Sequence, residues 1–147
     1  YIYNRKDAKM ALAYEQSQVH VRTTLISKLE LRLMQISEEY NLKYTQGCAK
    51  TSEMTSEMNN KVEAIRAKLG ENPTSEEYRQ NMAECESVEN EYTMIIQSIQ
   101  DQMNIAEQKM QTQQEQVETK LEVLRAEKEQ WEEALDNTIE KTCGYFQ

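Results

Sequence analysis

The chain has 147 residues, a net charge of −9 and a mean hydropathy of −0.88. One Pro and three Gly are too few to punctuate a sheet protein, where every hairpin needs turn residues. The acidic balance argues against gripping a nucleic-acid backbone, which needs a basic face.

The remaining composition, rich in Glu, Gln, Lys, Met, Leu and Ala, favours helix. Low hydropathy suits long helices with one buried seam and wide solvated faces. Disorder is the competing reading of such a composition. The apolar residues recur too regularly for it. No run approaches the ~18 apolar residues of a membrane span, and none reads as the apolar core of a signal peptide.

In chain order, Asn4 with Asp7 suggests a cap, and the first helix is expected to start near residue 5. One heptad position then reads Leu12, Val19, Ile26, Leu33, Tyr40. Its partner reads Arg22, Leu29, Ile36, Lys43, which is coiled-coil spacing weakened by two polar residues. A second apolar set, Tyr14, Val21, Leu25 and Leu31 with Met34 and Leu42 further round, lies off that seam. A helix apolar on two sides is expected to be sandwiched. This second set is therefore the candidate assembly face, against further copies or a partner protein.

Gly47 stands in a small, polar stretch (residues 45–60), the weakest helix of the chain, so a kink or short break is expected near 46–52. The pattern resumes at Met54, Met58, Val62, Ile65 and Leu69. Gly70 reads as a left-handed C-cap. The segment Gly70-Glu71-Asn72-Pro73-Thr74 is the strong turn signal, and Thr74 with Glu77 reads as a capping box.

A second helix is expected over 75–141. Its seam reads Cys85, Val88, Tyr92, Ile95, Ile99, Met103, Ala106, Met110, Gln113, Val117, Leu121, Leu124, Lys128, Trp131, Leu135, Ile139. The mean spacing is that of a straight helix, which implies weak supercoiling. The seam is polar around 111–116, where the helix is expected to be soft. The helix is expected to leave its path at Gly144, with a short tail over 142–147.

Two near-equal arms (5–69 and 75–141) on a short turn (70–74) predict one all-α domain over residues 1–147. Its form is a long antiparallel, coiled-coil-like helical hairpin. A register in which facing residue numbers add to 143 pairs Tyr40 with Met103, Leu33 with Met110, Ile26 with Val117, Val19 with Leu124 and Leu12 with Trp131. Heptad arrays also match at shifts of one heptad, so the loop is what selects this register. Residues 1–69 carry 11 basic against 8 acidic side chains and residues 70–147 carry 6 against 18, so the arms attract.

No catalytic motif is present. His20 is single, the carboxylate pairs Glu38-Glu39, Glu76-Glu77 and Glu132-Glu133 point ~100° apart on a helix, and no phosphate or dinucleotide loop appears. Cys48, Cys85 and Cys143 have neither metal spacing nor a facing partner, so no metal, cofactor or intrachain disulfide is expected. Cys143, near an end, offers a link between copies.

In layout the chain is similar to helical secreted filament subunits of the flagellin and type III secretion kind. The resemblance lies in the two-arm architecture and carries over no individual residue. It implies a non-enzymatic structural subunit whose partners are copies of itself, at the cell surface or outside the cell rather than in the cytoplasm. The two-arm layout is also similar to rod-like stalk proteins of secretion ATPases. That likeness implies the alternative, a monomeric adaptor or chaperone docking its apolar flank on a secretion-apparatus protein.

Overall fold

The computed structural model describes residues 5–143, which form two helices, α1 (Arg5–Arg66) and α2 (Ser75–Cys143). They pack against each other as an all-α helical hairpin. Asn4 and the residues from Gly144 onward, where a cap and a tail were expected, lie outside the described residues.

The packing divides into two units, each built from both helices. The first combines the chain up to Ser37 with the chain from Gln111 onward, and the second runs from Glu38 to Met110.

In the first unit Ala8, Ile26, Ile36, Val117 and Leu121 are buried between the helices. The pairing is antiparallel: Thr138 Oγ1 donates to Glu15, Arg22 meets Glu127 at 3.2 Å, and Gln114 Nε2 donates to Ser37 Oγ at 3.1 Å. The Gln113–Gln114 stretch, read as polar seam, thus contributes a hydrogen bond across the interface. Arg22 does more than interrupt the apolar seam. Its guanidinium lies 5.6 Å from the Trp131 ring centroid and also hydrogen-bonds Gln18. Tyr14 packs edge-on against Trp131, with centroids 5.7 Å apart.

In the second unit Val62, Cys85 and Tyr92 form the core. The Lys61 ammonium stands 5.0 Å from the Tyr92 ring centroid, while the Tyr92 hydroxyl donates to Glu57 at 3.3 Å. The hydrogen bond between Lys61 and the Tyr92 phenol raises the lysine pKa above its ordinary value.

The helix is unbroken through residues 46–52, which corrects the interruption expected at Gly47. A Cβ on Gly47 would stand 2.5 Å from Met103 Sδ and 2.7 Å from its Cγ. The glycine therefore makes room for a side chain from α2. The helical hydrogen bonds and this packing outweigh its cost of about 1 kcal/mol in helix propensity.

The same contact corrects the register. Met103 lies over Gly47, one heptad beyond the Tyr40 expected to face it. Near the connection the displacement has the same sense but is smaller, four residues where Cys85 reaches Val62 and three where Asn81 reaches Ile65, and in the first unit Leu124 shares a groove with Leu25 and Leu29. The cause is the connection. α1 ends at Arg66, three residues short of the expected Leu69, and the residue preceding Pro73 is biased to extended backbone. Extended chain advances about 3.3 Å per residue against 1.5 Å in a helix. The connection thus climbs along α2 instead of reversing symmetrically, and Ser75 starts roughly 9 Å past the level of Ile65.

Both ends of this connection are capped. The capping box forms as expected: Glu77 N–H donates to Thr74 Oγ1 at 3.1 Å and Thr74 N–H donates to Glu77 Oε2 at 3.2 Å. The end of α1 closes differently from expectation, because Gly70 does not adopt a left-handed φ. Two tightened bonds, Lys68 N to Ile65 O and Leu69 N to Arg66 O, take up terminal carbonyls instead. The buried Asn81 amide adds a third, donating to Ile65 O at 2.6 Å.

Two further seam assignments change. Ile95 and Ile139 are exposed. Ile96 turns inward in place of Ile95, a four-residue step from Tyr92 where three was expected. Thr138 and Thr142 follow Leu135 at the end of α2, and each hydroxyl donates to the carbonyl four residues back, which lets a polar residue sit there.

Candidate functional site

The hairpin leaves most of one apolar set uncovered. Tyr14, Val21, Leu25, Leu31, Met34 and Leu42 are each between 41% and 61% exposed. These are the positions that a second apolar flank on the first arm singles out. Tyr14 alone among them has a ring contact, with Trp131. By contrast the seam positions are turned inward. Ile26, Ile36 and Val117 are buried, and Leu12, Val19, Leu29, Leu33, Tyr40, Met103, Met110, Leu124 and Trp131 are half-buried.

In the first unit Leu25, of the exposed row, lines a groove between the helices of about 570 Å³. Leu25 and Leu29 form one wall, Val123 and Leu124 the other, and the lining exposes no polar surface. Lys28 and Lys120 flank it, one from each helix. Their aliphatic stems cover apolar surface while the ammonium groups stay in water. Val123, 53% exposed, was not among the residues singled out from sequence. Neither were the two lysines. All three become visible only once the register is known.

In the second unit a smaller cavity of about 320 Å³ lies beside Gly47 and Met103, with Tyr40 and Tyr44 in its lining. The two tyrosine rings are 6.0 Å apart. A hydrogen bond with the Cys48 thiol pushes the Tyr44 phenol pKa up.

Among the described residues no cluster of three or more His, Cys, Asp or Glu is placed to hold a metal ion, and no helix is long and apolar enough to cross a membrane. Cys48 and Cys143 are exposed, Cys85 is buried, and all three are free thiols. The chemistry these surfaces offer is apolar packing against another surface, with charge at the rim. The chain matches no protein-family model, no curated protein and no solved structure.

Proposed function

We propose that the protein is a non-enzymatic structural subunit that assembles with further copies of itself through helical packing. The observation that carries this reading is the uncovered set Tyr14, Val21, Leu25, Leu31 and Met34 on the first unit, with Leu42 likewise exposed on the second. Large apolar side chains repeated along one helix and left in water mark an interaction surface. Each is already about half covered, so burying the remainder gains roughly 1 kcal/mol apiece, which together works against the ordering cost of association. Different surfaces meeting head to tail generate rings when the rotation closes and filaments when it does not.

Light scattering on the full chain across a concentration series tests the reading. The expected result is a mass that rises above 17.3 kDa with concentration, and a Leu25→Glu, Leu31→Glu variant that stays monomeric with its helix content intact. A steady monomer mass at every concentration overturns it, and the alternative of an adaptor docking on a different protein then takes its place.

A further inference from the structure

The groove on the first unit has a counterpart elsewhere on the same chain. On α2 of the second unit Tyr78 and Met82 are both exposed, 53% and 43%. They stand one turn apart on a single stripe of the helix. Continuing along that stripe, Glu86 and Glu89 follow on its two sides, Glu86 about 40° beyond Met82 and Glu89 about 20° short of it at ~100° per residue. Both glutamates are exposed and neither forms an ion pair among the described residues. This is a helix surface with apolar side chains at one end and carboxylates at the other.

The groove has the opposite polarity. Leu25, Leu29, Val123 and Leu124 form an apolar trough, and Lys28 and Lys120 stand on its two banks. Neither lysine has an ion-pair partner among the described residues. One turn either side of Lys28 on α1 stand Thr24 and Arg32, so its own stripe of the helix carries no acid at those positions. In a chain of net charge −9 the slot thus carries one lysine on each bank without a carboxylate partner among the described residues.

We infer that a second copy of the chain seats the Tyr78–Met82 stripe of its α2 in this groove, with Glu86 and Glu89 reaching Lys28 and Lys120. The inference rests on the self-assembly reading and names the surfaces that carry it. Charge selects the occupant. Groove against groove would bring four lysines together, and stripe against stripe would bring four glutamates together. Like charges facing across an interface cost several kcal/mol, so a two-fold contact through either surface alone is disfavoured and the unlike pair is favoured. Because donor and acceptor surfaces differ, each bound copy still presents an unused groove or an unused stripe, and the contact propagates.

The experiment uses two full-length variants, Lys28→Glu with Lys120→Glu, and Glu86→Lys with Glu89→Lys. All four positions are exposed, and circular dichroism verifies that the helices persist. Sedimentation velocity at low salt is run on the wild type, on each variant, and on their equimolar mixture. The expected result is association of the wild type, a rise of about tenfold or more in the concentration needed by each variant alone, and recovery in the mixture. Recovery follows because the acidic groove of one variant then meets the basic stripe of the other, and the basic groove of the second meets the acidic stripe of the first. A wild type that stays monomeric overturns the self-assembly reading itself. A wild type that associates while both variants associate equally well overturns only the groove-and-stripe contact. Variants that lose association and stay apart when mixed overturn that contact too, since charge complementarity then does not explain the loss.

Discussion

The side-chain amide of Asn81 lies 2.6 Å from the main-chain oxygen of Ile65, joining the start of α2 to the end of α1. Asn81 is buried, and one turn further on Cys85 lies 3.9 Å from the Val62 oxygen. A buried polar side chain that finds a partner in only one alignment favours that alignment over its heptad-shifted rivals.

Asn81→Ala is therefore expected to lose about 1 kcal/mol, because a buried hydrogen bond is lost while Lys68 N–H still partners the Ile65 carbonyl. The exposed Asn90→Ala, on the same helix, is expected to stay within about 0.5 kcal/mol of wild type. Urea unfolding followed by circular dichroism measures both. Equal midpoints for the two variants would show that the amide bond contributes nothing.

The fit between Gly47 and Met103 predicts a coupling. Gly47→Ala alone is expected to yield no gain, since its new methyl must displace Met103 from Cγ outward. In a Met103→Ala background the same change is expected to recover the helix-propensity gain of about 1 kcal/mol. A double-mutant cycle reads the difference directly. A full gain from Gly47→Ala in the wild type would mean that Met103 shifts at no cost.

Glu15 has a half-buried carboxylate with one oxygen bonded to Thr138 and the other, Oε2, buried without a partner. Replacing it by leucine removes an unsatisfied acceptor from the seam. Thr138 keeps its bond to the Ala134 carbonyl. Glu15→Leu is expected to stabilise by about 1 kcal/mol, raising Tm by roughly 2–4 °C. A lowered Tm would show that the carboxylate is better served in solution than the packing indicates.

The Lys61–Tyr92 pair sets a pH dependence. The folded lysine pKa lies above its ordinary value, 10.5. The contribution is thus fully present below the ordinary lysine pKa and is lost as pH rises through the higher folded value. Tyr92→Phe keeps the ring under the ammonium and removes the phenol oxygen. It is expected to move the Lys61 titration, followed by NMR of its side chain, downward. An unchanged titration would assign the shift to other neighbours.

Much of the architecture was legible because it rests on short-range rules. The absence of Gly and Pro over long stretches gives two helices, and the Thr74–Glu77 spacing gives the start of the second. The phase of Cys85, Tyr92, Val117 and Leu121 gives the face of α2 that is buried. The register was not legible, because a heptad pattern is blind to shifts of its own period and the path of residues 67–74 decides among them. Asn81 was not singled out from sequence, because it stands in a polar run. Its signal was its phase, one step before Cys85, Val88 and Tyr92. Gly47 looked like a weak point because propensity is local, whereas its purpose lies on the other helix. The groove residues Val123, Lys28 and Lys120 followed from the same missing register.

The two packing units differ in how far along the chain their partners lie. Asn81 and Ile65 are separated by 16 residues, whereas Arg22 and Glu127 are separated by 105. Closing a longer loop costs more chain entropy, so contacts near the connection form before those at the far ends have any advantage. Folding should therefore begin at the turn and zip outward, with the termini last to close and first to open. Five of the six uncovered apolar positions, Tyr14 to Met34, lie on the late-closing portion of α1. A newly made chain would carry them exposed beside an unformed seam, so the moment of completing the fold and the moment of meeting another copy compete for the same side chains. Pulse-labelled hydrogen exchange would show this order as protection spreading from Ile65 and Asn81 toward the ends.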